Sequence, residues 1–108
     1  GRVRALAVSG PQRLAAAPQI PTVAEAGLPG YDVTGWLGIV GPRGMPPAIV
    51  TRLNTELNRI MQDPEMTARL ASQGAEVVTG TPEEFGAYVR SEIARWAQVT
   101  REAGIRAE

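Results

Sequence analysis

Proline and glycine set the tightest limits on what this chain can build. Nine prolines and twelve glycines fall among its 108 residues. Proline lacks the N–H that a helix interior or a central strand requires, so each one marks an edge, a first helical turn or a loop. Pro11, Pro18 and Pro21 make residues 11–21 an irregular connection. Gly41-Pro42-Arg43-Gly44-Met45-Pro46-Pro47 is a stiff loop whose last proline suits the start of a helix. Pro64 and Pro82 each follow a residue able to cap a helix. Regular elements must fit between these points.

Three segments read as strands. The run from Arg2 or Val3 to Val8 is short, apolar on both faces in its inner part, and stopped by Ser9-Gly10-Pro11. Val33 to Val40 carries the run Trp36-Leu37-Gly38-Ile39-Val40, and Ala75 to Thr79 is a short third strand. Thr22-Val23-Ala24-Glu25 fits a capping box that opens a helix of one turn, ended by Gly27. Leu28-Pro29-Gly30-Tyr31 fits a type II turn, with proline at its second position and glycine supplying positive φ at its third.

The clearest helix follows Pro47, with Ile49, Val50, Leu53, Leu57, Ile60 and Met61 on one stripe and Arg52, Glu56 and Arg59 outside it. Asp63 as N-cap and Pro64 at the first position open another helix that runs to Gly74. Thr81-Pro82-Glu83-Glu84 is a second capping box. Its long helix places Phe85, Tyr88, Val89, Ile93 and Trp96 on a core-facing stripe and stops at Gly104, with Ile105 set for a Schellman motif. The expected class is α/β, in the order strand-helix-strand-helix-helix-strand-helix. The chain opens inside a strand-like run, as expected of a piece whose upstream part lies elsewhere.

Composition removes several function classes. A hydrophobic fraction of 44% and a charged fraction of 20% describe a globular chain, with roughly two-thirds of its surface available for burial at this size. Net charge is zero, from eleven basic and eleven acidic residues, which argues against a nucleic-acid or polybasic membrane partner. Without cysteine there is no disulfide or thiolate chemistry, and without histidine the commonest metal ligand and general base are missing. No run reaches the roughly 20 apolar residues of a membrane span.

The remaining candidate sites have structural explanations. Glu83 and Glu84 sit where a helix dipole favours acids, and Glu25 and Asp63 act as capping residues. Ser9, Ser72 and Ser91 have no histidine to serve them, and no phosphate-binding glycine loop is present. Gly41-Pro42-Arg43-Gly44 matches the G-x-x-G pattern of KH domains, but it follows an apolar strand rather than lying between helices, and the net charge is wrong for RNA. No catalytic residue, metal or cofactor is expected. Trp96 belongs to the helix stripe. Trp36 is flanked by Gly35 and Gly38, which permit close approach of a ligand or another backbone, with core packing as the other reading.

Taken in order, Arg4 to Val8, Ile20-Pro21-Thr22-Val23-Ala24-Glu25-Ala26-Gly27, Gly35-Trp36-Leu37-Gly38, Gly41-Pro42, Pro46-Pro47, Leu53-Asn54, Gly80-Thr81-Pro82-Glu83-Glu84-Phe85, Trp96 and Ala103-Gly104-Ile105 form a distinctive series. It resembles the Bug-type (TctC-like) extracytoplasmic solute receptors of tripartite tricarboxylate transporters, across essentially the whole chain. The resemblance implies a fragment of a two-lobed type II periplasmic-binding-protein fold, about the last third of a protein of roughly 300 residues.

On that reading residues 1–31 end the second lobe, and residues 32–108 form the crossover strand and the helices returning to the first. The implied function is non-enzymatic capture of a small carboxylate, such as an amino acid or a di- or tricarboxylate, in the periplasm. Membrane transporter subunits would be the partners of the full-length receptor. Helix N-termini and small hydroxyl residues would hold the anion. Ser9, Gly10, Thr34, Gly35 and Trp36 are the expected ligand-facing residues. Arg13 matches the family pattern, whereas Leu14 stands where relatives often carry a hydroxyl. The competing class is a self-associating interaction domain: apolar faces on residues 3–8 and 33–40 would favour homodimerisation of the fragment.

Overall fold

In the computed structural model, which describes residues 3–105, all of the regular structure is helical and lies after Pro46. Helix α1 spans Pro47–Met61, α2 spans Pro64–Ser72 and α3 spans Pro82–Glu102. Each begins on the proline that the sequence marks. Asp63 caps α2 by accepting from the N–H groups of Glu65 at 3.0 Å and Met66 at 3.2 Å. Thr81 caps α3 in a complete capping box: Glu84 N–H donates to Thr81 Oγ1 at 3.1 Å, and Thr81 N–H donates to Glu84 Oε2 at 2.8 Å. By contrast α1 has no side-chain cap and starts on the geometry of Pro46-Pro47 alone.

The stops are equally local. Gly74 and Gly104 take positive φ after α2 and α3. The paired bonds Ala75 N–H to Leu70 O and Gly74 N–H to Ala71 O make a Schellman motif, repeated by Ile105 N–H to Thr100 O and Gly104 N–H to Arg101 O.

The strand-helix order expected for the α/β class is not seen within the described residues. No strand forms among the described residues, and the expected strands at 3–8, 33–40 and 75–79 are irregular or extended backbone. Their residues are apolar enough, but a ladder needs a second strand alongside. Val8 meets one such neighbour, donating to Pro21 O and accepting from Val23 N–H at 2.9 Å each, which gives a single parallel bridge to Thr22. Beside residues 36–38 lie helix side chains instead, which cannot supply ladder hydrogen bonds. The possible strand start at Arg2 lies outside the described residues.

The short helix expected after Thr22 is a turn. Its capping box is present, with Thr22 N–H donating to Glu25 Oε2 at 2.8 Å and Glu25 N–H to Thr22 Oγ1 at 3.1 Å. Gly27 ends it with φ 126° before a second turn can propagate. The type II turn at Leu28–Tyr31 forms as expected, with Tyr31 N–H donating to Leu28 O at 3.1 Å and Gly30 at φ 81°.

Packing is open. The radius of gyration is 17.3 Å, against about 13 Å for a compact chain of this length. No apolar side chain is fully buried among the described residues, so the expected core stripe of α3 is only part-covered. The elements are joined by a few specific contacts. Asn54 and Asn58 of α1 both donate to the carbonyl of Gly80 at 2.9 Å, which fixes the chain just ahead of α3. Thr67 of α2 donates back to Met61 O at 3.0 Å.

Candidate functional site

The loop after the first extended run and the segment entering residues 32–40 come together. Val33 N–H donates to the Ser9 carbonyl at 2.8 Å. A Cβ at Gly10 would lie 3.5 Å from Thr34 Oγ1, so the backbone of Gly10 and the hydroxyl of Thr34 are neighbours. Thr34 Oγ1 donates in turn to Asp32 Oδ1 at 2.8 Å. Ser9, Thr34 and Gly35 are exposed, and the space beside Gly35 is open. Four of the five expected ligand-facing residues, Ser9, Gly10, Thr34 and Gly35, thus form one small surface of hydroxyls and bare backbone.

Trp36 departs from that surface. Its ring stands edge-on to Phe85 at 5.7 Å and to Tyr88 at 5.6 Å, and it remains 41% exposed. Both partners lie in the first two turns of α3, so Trp36 docks the segment onto that helix. Gly38 has a matching reason: a Cβ there would stand 2.2 Å from Phe85 Cζ. Of the two glycines flanking Trp36, Gly38 therefore serves close approach of a phenylalanine ring, and Gly35 borders open space.

Glu92 and Arg95, which have no assigned role in the sequence, complete the arrangement together with Trp96 of the helix stripe. Glu92 of α3 is the one buried charged residue among those described, at 7% exposure. One of its carboxylate oxygens accepts from Arg95 Nη1 at 3.1 Å, and the other accepts from Trp96 Nε1 at 3.1 Å. Arg95 lies 5.5 Å from the Trp96 ring centre, and its second terminal nitrogen, Nη2, donates to the carbonyl of Asp32. The visible signal was a Glu, an Arg and a Trp at i, i+3 and i+4, which puts all three on one face of a helix.

Arg13 braces the connection that follows the Ser9 loop. It donates to Glu25 Oε2 at 2.8 Å and to Pro18 O at 3.1 Å, tying residues 11–21 to the turn at Thr22. The backbone N–H of Thr22, followed by Arg13, holds the Glu25 carboxyl below the usual carboxylate range. Thr22 itself is 2% exposed and anchors Val8. Leu14 is exposed.

The arrangement exposes the Ser9 hydroxyl and the backbone of Gly35, while the Thr34 hydroxyl directs its proton to Asp32 and leaves its oxygen lone pairs beside Gly10. Among the described residues there is no cluster of acids that could hold a metal ion and no helix long and apolar enough to cross a membrane. Two open clefts, of about 460 and 440 Å³, lie along α1–α2 and between α1 and the start of α3. None of the five expected residues lines either one.

Comparison with known proteins places this geometry. The sequence profile of the tripartite tricarboxylate transporter family receptor (TctC) matches residues 1–105. Protein BugT of Bordetella pertussis is 36% identical over 104 residues, covering 96% of this chain and 32% of BugT. R. palustris Rpa4515, solved with adipate, superposes with a TM-score of 0.82 at 40% identity, over 92% of this chain and 33% of that one. Periplasmic binding protein BugD superposes at 0.83 with 32% identity, over 94% of this chain and 35% of its own. The chain spans about a third of the length of each of these relatives. The path of its helices and extended segments is thus that of the corresponding third of periplasmic binding proteins, and the chain belongs to the tripartite tricarboxylate transporter receptor family, the Bug-type, TctC-like receptors.

Proposed function

We propose that this chain is the part of a periplasmic solute-binding receptor that contributes Ser9, Gly10, Thr34 and Gly35 to a site for a small carboxylate, without catalysis. The observation that carries the reading is the likeness to Rpa4515, which holds adipate, a linear dicarboxylate, at 40% identity and a TM-score of 0.82. Residues 1–31 belong on this reading to the second lobe. Residues 32–108 cross to the first lobe, so the surface at Ser9–Gly10 and Thr34 sits where the lobes meet. Backbone N–H groups and hydroxyls suit a carboxylate because hydrogen bonds to an ionised acceptor are stronger than those between neutral groups. Membrane subunits of a tripartite tricarboxylate transporter are the proposed recipients.

The test replaces the matched third of Rpa4515 by this chain and titrates the graft calorimetrically with adipate, succinate, citrate and glutamate. A folded graft that binds at least one of them, while the 108-residue chain alone binds none, is the expected result. A graft that melts cooperatively yet gives no heat with any of the four would overturn the reading. The alternative, a self-associating interaction domain, draws on the apolar surface left uncovered at Leu37, Ile39 and Val40. Sedimentation of the chain and of the graft separates the two.

A further inference from the structure

We propose that Arg95, held by Glu92, is the positioning residue for the ligand-facing turn: by donating to the Asp32 carbonyl it fixes the backbone that sets Thr34 against Ser9 and Gly10. The inference rests on the carboxylate-binding reading above and names the group that organises that surface.

The connections run in an unbroken series. Glu92 is nearly buried in α3 and accepts from both Arg95 and Trp96, so the guanidinium is oriented from its own helix. Arg95 Nη2 then reaches 63 residues back along the chain to the carbonyl of Asp32. The Asp32 side chain accepts from Thr34 Oγ1 at 2.8 Å, which presents that hydroxyl beside Gly10. Between them, Val33 N–H donates to the Ser9 carbonyl at 2.8 Å. Residues 32–34 are therefore held on one side by α3 and on the other by the Ser9 loop. Among the described residues the segment has no strand neighbour, so the guanidinium supplies what a ladder would.

Arginine suits the task. Its planar fork meets the Glu92 carboxylate with one terminal nitrogen and the Asp32 carbonyl with the other, a geometry that a lysine ammonium reproduces only in part. The groups facing it are Glu92, the Trp96 ring and the Asp32 carbonyl.

The experiment uses the grafted receptor and three variants, with three readouts. Arg95→Met keeps an unbranched stem that can cover the Trp96 ring and removes the guanidinium with its donors. It should weaken carboxylate binding about tenfold, the scale of one charge-assisted hydrogen bond. It should also speed amide exchange at Val33, measured without ligand. Arg95→Lys should recover part of both effects. Asn58→Ala removes a comparable contact at Gly80 and should lower the melting temperature while leaving affinity and Val33 exchange unchanged. Wild-type affinity together with wild-type Val33 exchange in Arg95→Met would overturn the proposal. So would an Asn58→Ala variant that loses as much affinity as Arg95→Met at a matched melting temperature, since Arg95 would then act through general stability. If the unsubstituted graft binds no carboxylate, the functional reading fails, while Val33 exchange still decides whether Arg95 fixes the turn.

Discussion

Phe85 fills the place that a side chain at residue 38 would take. A methyl group on Gly38 would lie 2.2 Å from Phe85 Cζ and 2.9 Å from Cε2, so the ring would have to leave. That ring is one of the two against which Trp36 stands, so its displacement would loosen the segment that carries Thr34 and Gly35. Gly38→Ala in the grafted receptor should therefore cost about 1–3 kcal/mol, as overpacking does. In a Phe85→Ala background the obstacle is gone and the same change should be nearly neutral, giving a coupling of about 1 kcal/mol or more. Urea unfolding of the four proteins measures it. An equal cost in both backgrounds would place the requirement in the Gly38 backbone instead. The sequence marks Gly38 as a point of close approach, but what approaches lies 47 residues away in the chain and is seen only in the fold.

Helix ends were legible because every signal that makes them is local. Asp63 and Thr81 bond N–H groups two or three residues on, and Gly74 and Gly104 close motifs that span six residues. Strands were not legible for the converse reason: apolar runs at 3–8, 33–40 and 75–79 are a necessary condition, and the neighbouring strand is a distant matter that no run contains. The turn at Thr22 falls between, its capping bonds correctly read and its helix cut short by Gly27. Ser9, Gly10 and Thr34 were expected to face a ligand through family resemblance, while their meeting is seen only in the fold; the Glu92–Arg95–Asp32 series crosses from helix to loop and left only a spacing on one face as its trace. Because the α3 cap rests on a titratable group, pH tests it. The Thr81 backbone N–H, and then its hydroxyl, hold the Glu84 carboxyl below its ordinary range. A depressed carboxyl contributes stability that is complete above its unfolded pKa and is lost as pH falls through the lower folded value. The helicity of α3 should thus decline on acidification below the ordinary carboxylate range. Glu84→Gln, which can still reach back to Thr81 N–H, should not show that component. Circular dichroism from neutral to acidic pH compares them, and identical acid limbs would mean that Glu84 contributes nothing through its charge.

At the scale of the whole molecule the dominant fact is what lies uncovered. Leu37 is fully exposed, Ile39 and Val40 largely so, and no apolar side chain among the described residues is buried. A chain that buries so little cannot offset its conformational entropy alone, since each ordered residue costs about 1–2 kcal/mol. Two arrangements would cover these faces: further chain of the same receptor, or a second copy. They make opposite predictions once the chain sits in a complete receptor scaffold. The 108-residue chain alone should associate with rising concentration through its apolar segments, and Leu37→Glu should reduce that association by placing a charge where contact would desolvate it. The grafted receptor should sediment as a monomer at the same concentrations, because the faces would then be interior, and Leu37→Glu should now lower its melting temperature. Association of the graft as strong as that of the chain, still relieved by Leu37→Glu, would make residues 37–40 an interface between copies and favour the interaction-domain reading. The sign of the Leu37→Glu effect on graft stability thus distinguishes a receptor interior from a docking face, and it does so without knowledge of the ligand.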